Sequence, residues 1–168
     1  SPKMKKILLL FVTCLAMTAN AQNKKECEDL VNAEKHVADN IKMYTATWDK
    51  IFNQRYIDQV NEQNFSSDVV LLGQKENIRS KGIEGFKKSF NYYLTTFSNI
   101  KFTFIDVWGH GDKLVKHWNF KGTHTATGKP MDLSGVTLVK MKDGKIIEEQ
   151  DFDDNLSYNQ QLGHFLVK

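Results

Sequence analysis

The sequence predicts an α+β domain. Three observations carry this. Apolar residues recur at helical spacing through the first part of the chain. The period changes to two after Ile100. Short turn motifs then divide the second part into long strands. At 168 residues, 40% hydrophobic and 26% charged, the chain suits one domain with a sizeable core, and disordered, collagen-like and low-complexity classes are excluded.

Val37, Ile41, Tyr44, Trp48 and Ile51 fall on one helical face, which predicts a long amphipathic helix over about 26–52. Ile57, Val60 and Phe65 suit a short second helix. Val69 to Leu72 read as a strand that Asn77 to Lys81 can pair with. Gly82 opens a third helix with Phe86, Phe90, Tyr93, Leu94 and Phe97 as its apolar face. Phe102, Phe104 and Asp106 alternate with Lys101, Thr103 and Ile105 in the first long strand. Gly109-His110-Gly111-Asp112 is a turn, and the next strand runs from Lys113 to His124. Thr127-Gly128-Lys129-Pro130 turns the chain into a strand from Met131 to Met141. Lys142-Asp143-Gly144-Lys145 is a hairpin signal, and the last strand runs from about Ile146 to Phe152. Four strands joined by short turns make an antiparallel meander, and the helices must cover one of its faces.

Residues 1–21 read as a cleaved leader and residues 22–168 as the single mature domain. Met4-Lys5-Lys6 is a positive start, Ile7 to Met17 is an apolar run, and Ala19-Asn20-Ala21 is a small-residue cleavage site. Ser1-Pro2-Lys3 read as a leading scar. The run falls short of the roughly 20 apolar residues of a membrane span, so no stable membrane anchor is expected. An uncleaved amphipathic anchor is the alternative. The expected location is periplasmic or secreted. Cys14 leaves with the leader, and Cys27 then stands alone, so no internal disulfide is expected. Lys3, Lys5 and Lys6 account for the formal net charge of +3, which leaves the mature domain neutral. A nucleic-acid partner is therefore not expected. Nucleotide fingerprints, phosphate loops and nucleophile elbows are missing from the sequence, and no cofactor is expected.

One ordered set of motifs remains. It comprises Gly82-Ile83-Glu84-Gly85-Phe86, Gly122-Thr123-His124-Thr125, Thr127-Gly128-Lys129, Asp143-Gly144-Lys145-Ile146, Glu148, Asp151 and Gln161-Leu162-Gly163. Together these resemble the SnoaL-like polyketide cyclase family of the nuclear transport factor 2-like superfamily. The resemblance spans about Val37 to Gly163. It implies a cone-shaped barrel, a curved antiparallel sheet wrapped around about three N-terminal helices, with a pocket at the open end and often a homodimer. It also implies that Asp151, ten positions before Gln161, is the acid/base. A carboxylate in an apolar cavity has a raised pKa and can move a proton next to a carbonyl. Thr137 stands where the cyclases carry an assisting His. Ala126 alone replaces a Pro-rich segment, and Leu71 and Leu72 replace a polar or His residue.

Strand alternation places Ile147, Glu149 and Asp151 on one face. The same acids also suit a solvated strand face with Glu148, Asp153 and Asp154. Trp48, Tyr44 and Trp118 read as core or cavity wall, and Trp48, Trp118, His124, Thr137 and Glu149 are the pocket candidates. His124 also suits a hydrogen bond within its turn. Phe102, Phe104, Trp108, Trp118 and Phe120 are candidates to line a pocket for a ring-shaped ligand. His110, His117 and His124 recur every seven residues, which alternates faces, so no metal site is expected.

Two function classes remain. One is an exported, cofactor-free enzyme of cyclase or isomerase type acting on a small apolar carbonyl compound through Asp151. The other is a ligand-binding or dimeric structural module that performs no chemistry. Export predicts that the secreted chain has the intact mass of residues 22–168; a mass matching residues 1–168 rejects cleavage.

Overall fold

A computed structural model describes the backbone of residues 2–164 and the side chains of residues 23–164. The leader assigned to residues 1–21, Cys14 included, lies outside the residues whose side chains are described. The chain divides into two units, Ser1–His36 and Val37–Lys168. Helix α1 (Pro2–Phe52) is followed by a 3-10 turn at Ile57–Gln59, then β1 (Phe65–Leu72), β2 (Ile78–Lys81) and α2 (Gly82–Thr96). Four long strands come next, β3 (Phe97–His110), β4 (Lys113–His124), β5 (Pro130–Lys142) and β6 (Lys145–Asp153), and α3 (Asn155–Leu162) comes after them.

The six strands form one open sheet in the order β2-β1-β6-β5-β4-β3. The expected antiparallel meander is β3 to β6. The return strand β1 makes the sheet mixed, because it pairs with β6 in parallel. The β5–β6 hairpin turns on Asp143 and Gly144, both at positive φ (51° and 72°). That is the conformation a tight two-residue hairpin needs, and Asp-Gly adopts it readily.

Most of each predicted apolar face is buried, with Val37, Ile41 and Tyr93 only partly so. Tyr44, Trp48, Ile51 and Phe52 of α1 and Phe86, Phe90 and Leu94 of α2 meet Phe97, Phe102, Leu114, Trp118, Phe120 and Leu133 of the sheet. Aromatic rings dominate the contact. Trp48 lies 4.5 Å from Phe90, Phe52 stacks on Phe102 at 4.8 Å, and Phe102 stacks on Trp118 at 5.9 Å. Such ring pairs add specific geometry to area burial.

Helix α1 begins at Pro2 rather than about residue 26, Phe97 opens β3 instead of ending the α2 face, and Gly109 and His110 belong to β3 rather than to the turn. Three more elements differ from expectation. The short second helix is only a 3-10 turn, and Phe65 opens β1. The Asn61 amide donates to Asp58 O at 2.6 Å and its oxygen accepts from Gln63 N at 2.9 Å, while the Asn64 amide donates to Gln59 O at 3.0 Å. These local bonds compete with helix propagation. Helix α3 was not expected. Asp154 caps it, accepting from Ser157 N at 2.9 Å, and Gly163 closes it. The third difference is in β6. Lys140 pairs with Glu148 but Met141 pairs with Ile146, so Ile147 is an extra, bulged residue. Ile146, not Ile147, is therefore buried on the face that carries Glu149.

Gly135 faces Trp118 on one side and Asp153 on the other. A Cβ there would lie 2.4 Å from the Trp118 ring and 2.8 Å from Phe152 O. Gly135→Ala is expected to displace the indole and destabilise the fold by about 1–3 kcal/mol. Urea unfolding followed by tryptophan fluorescence checks this; an unchanged midpoint and spectrum rejects it.

Candidate functional site

Strand pairing sets out the inner face of the sheet as rows that cross β4, β5 and β6. Leu114, Val139 and Glu149 form one row; Lys116, Thr137 and Asp151 the next; Trp118, Gly135 and Asp153 the third. Directly opposed residues have Cβ atoms about 4.5–5.5 Å apart, so side chains along each row are in reach of one another. Four charged residues thus sit on a face that is otherwise aromatic and aliphatic.

A pocket opens above the second and third rows. Phe52 of α1, Phe90 and Tyr93 of α2, and Phe102, Trp118, Phe120 and Leu133 of the sheet give it apolar walls. Lys116, Asp151, Asp153, Arg79 of β2 and Tyr158 of α3 add polar groups. The cavity is narrow, with a volume of about 40 Å³ for the centres of water-sized molecules. A mostly apolar concavity with a few convergent polar groups is the usual form of a small-molecule site.

Asp151 is half-buried on this wall. Thr137 beneath it is fully buried. The Trp118 indole N–H donates to Thr137 Oγ1 at 2.9 Å, and Thr137 Oγ1 donates to Asp151 Oδ1 at 2.6 Å. The indole can only donate, so it fixes the direction of the threonine hydroxyl. Asp151 Oδ1 is thereby an acceptor, and Oδ2 is left to meet a ligand.

Glu149 is fully buried. Its Oε1 accepts from Tyr44 OH at 2.5 Å and from the Trp48 indole at 2.9 Å. Its Oε2 has no hydrogen-bond partner. Burial raises the Glu149 carboxyl to about 7, with the charge of Asp151 adding to the rise; Lys116 and the two hydrogen bonds act against it. Burial also raises Asp153, helped by Asp151 and opposed by Arg79. Tyr44 is pushed well above its usual value by burial, and then by Glu149.

Lys116 is 3% exposed. Its Nζ lies 4.7 Å from the Trp48 ring centroid, 5.4 Å from Tyr44 and 5.5 Å from Phe102. Cation–π attraction holds it there.

The structure brings Asp151, Trp118, Thr137 and Glu149 together through neighbouring rows. Asp151 and Trp118 reach the pocket surface, while Thr137, Glu149 and Trp48 lie beneath it. His124 stands apart at the end of β4, where Nδ1 meets Thr127 Oγ1 at 2.8 Å. Phe102 and Phe120 line the pocket; Trp108 is 58% exposed. Lys116 and Arg79 are pocket residues that sequence reasoning missed. The signal for Lys116 was its parity with Leu114, Trp118 and Phe120 along β4. Nothing comparable marked Arg79.

This combination of sheet, helices and apolar pocket defines a small-molecule-binding α+β domain. The family model of the SnoaL-like polyketide cyclase matches residues 38–162, well over half of the chain, and the chain belongs to that family. The membership supports a domain of cyclase or isomerase type. TsrD from Streptomyces laurentii is similar with a TM-score of 0.67 and 18% identity, over 75% of this chain and 96% of that one. TerC, co-crystallized with polyporic acid, gives 0.63 and 17% over 75% and 99%. A hypothetical protein with a ketosteroid isomerase-like fold from Catenulispora acidiphila DSM 44928, in complex with trimethylamine, gives 0.61 and 16% over 71% and 91%. At these identities the likeness establishes the fold alone. No curated protein matched the chain.

Glu149 also makes a stability prediction. In an unfolded chain it ionises near its usual 4.5, but in the folded protein it holds its proton to about 7. Between those values the folded state binds more protons, so this contribution is complete at acid pH and is lost as pH rises through 7. The loss is on the order of 3 kcal/mol. Urea midpoints measured from about pH 4 to pH 8 should fall, and Glu149→Gln should flatten the fall. Equal slopes in both proteins would mean that Glu149 does not titrate as its burial requires.

Proposed function

We propose that this is an exported SnoaL-like domain that binds a small apolar carbonyl compound and moves a proton on it, in a cyclase or isomerase type of reaction, with Asp151 as the acid/base. The observation that supports this most is the Asp151 carboxylate on an apolar pocket wall, held at one oxygen by Thr137 and open at the other. Asp151 takes a proton from the carbon next to the carbonyl and returns it at the same or a conjugated position. Thr137 orients the base and cannot share the proton at neutral pH. No cofactor enters this chemistry.

Export rests on the leader pattern of residues 4–21 and places the ligand in the cell envelope or outside it. A second copy is the partner we infer for the outer sheet face, where Leu138 and Phe152 are 44% and 38% exposed. One observation favours the non-catalytic alternative. Thr137 leaves Asp151 without a second proton carrier at the position where the resemblance places a His. In that case ligands leave the pocket unaltered.

Deuterium exchange distinguishes the two readings. The protein is incubated in D2O with enolisable apolar ketones such as 2-tetralone, and loss of the Cα proton signals is followed by NMR. Catalysed exchange that falls by about 100-fold or more in Asp151→Asn is expected. Exchange unchanged by that substitution rejects Asp151 as the base, and no catalysed exchange across a ketone panel favours the binding module.

A further inference from the structure

We infer that Lys116 is the group that pairs with the ligand's oxygen, and that the ligand therefore carries an enolisable or acidic oxygen on an apolar, ring-bearing body. The inference rests on the pocket proposed above and adds a residue and a ligand class to it.

Charged side chains are rarely buried without a partner of opposite charge. Lys116 departs from that rule. Among the described residues its ammonium makes no ion pair and no hydrogen bond; it lies over three aromatic rings. Rings attract a cation but accept none of its three N–H donors as an oxygen would. Glu149 and Lys116 attract each other across this space, but no ion pair or hydrogen bond joins them: Glu149 Oε1 accepts from Tyr44 and Trp48, and Oε2 has no hydrogen-bond partner. The lysine thus reaches the pocket wall with N–H donors that no oxygen among the described residues accepts.

Its position relative to Asp151 suits the chemistry. Lys116 and Asp151 are the two ends of one row, with Thr137 between them. Two strand spacings separate their backbones by roughly 9–10 Å. Side chains leaning inward from both ends leave room for a C–H on the Asp151 side and a C=O on the Lys116 side. When Asp151 Oδ2 takes the proton, the C–H pair becomes the C=C bond, and the carbonyl π pair moves to oxygen. Lys116 pairs with that oxyanion, in a site where such a contact is far stronger than in water. Return of the proton from Asp151 to carbon restores the carbonyl, so nothing is oxidised or consumed.

The full chain is titrated with 2-naphthol, whose ionised form mimics an enolate, and with naphthalene, which has the rings alone. Preference for 2-naphthol by about 10-fold or more is expected, with the bound absorbance shifted toward naphtholate. Lys116→Met should abolish the preference and keep naphthalene binding, and Lys116→Arg should keep both. Equal binding of the two compounds by the unsubstituted protein overturns the assignment, as does a preference that survives Lys116→Met. Should Lys116→Met fail to fold, the naphtholate shift in the unsubstituted protein decides: its absence overturns the assignment and its presence, retained in Lys116→Arg, supports it. These failures leave the Asp151 reading intact, because deuterium exchange tests that separately. Failure of both compounds to bind overturns the pocket itself.

Discussion

The carboxylate of Glu149 holds the principal helix to the sheet. One oxygen of β6 accepts two hydrogen bonds from α1, from Tyr44 and from Trp48, and all three residues are fully buried. Tyr44 and Trp48 are four residues apart, on one face of the helix. Hydrogen bonds to a single oxygen therefore fix the rotation of that helical segment about its axis. That rotation sets the aromatic packing. Trp48 meets Phe90, Phe52 stacks on Phe102, and the end of α1 becomes one wall of the pocket. An apolar contact alone would tolerate a range of rotations; two directional bonds do not.

That latch depends on the bulge at Ile147. Suppose the hairpin register at Met141 and Ile146 continued without it. Glu148 would then oppose Val139 and point inward, and Glu149 and Asp151 would both face out. One extra residue reverses the parity of everything beyond it. The bulge therefore places the buried carboxylate under α1 and the pocket carboxylate beside Thr137 at the same time. Gly135, in the neighbouring row, serves the same geometry by leaving space for the Trp118 ring that orients Thr137.

Much of this was legible from spacing. The change of period at Ile100 and the turn motifs gave β4 its bounds as found, and the other long strands within a few residues. Glu149 and Asp151 could be placed on one face because both lie beyond the bulge. Ile147 could not, because a bulge leaves no mark in an alternating pattern until its partner strand is known. The failed second helix had a readable cause in Asn61 and Asn64, whose side chains favour local bonds over helix. Helix α3 had an Asp cap and a closing glycine but no apolar stripe to mark it. Lys116 escaped notice because lysine on a strand is taken to face water. Its neighbours two residues away, Leu114 and Trp118, both point inward, and parity alone puts it in the core.

The cost of that placement bears on its meaning. A buried lysine and a buried carboxylate each forfeit hydration, and apolar residues of similar volume often fill such positions with equal or greater stability. The surroundings are aromatic. Tyr44 and Trp48 give Glu149 a structural reason to be charged or polar, since it latches the helix. Among the described residues Lys116 makes no ion pair or hydrogen bond within the fold, and its cation–π contacts with Trp48, Tyr44 and Phe102 leave its N–H donors without an oxygen. The proposed ligand oxygen would supply that acceptor. The proposed role of Lys116 thus explains a feature that packing leaves unexplained, and it does so with the same row of the sheet that positions Asp151.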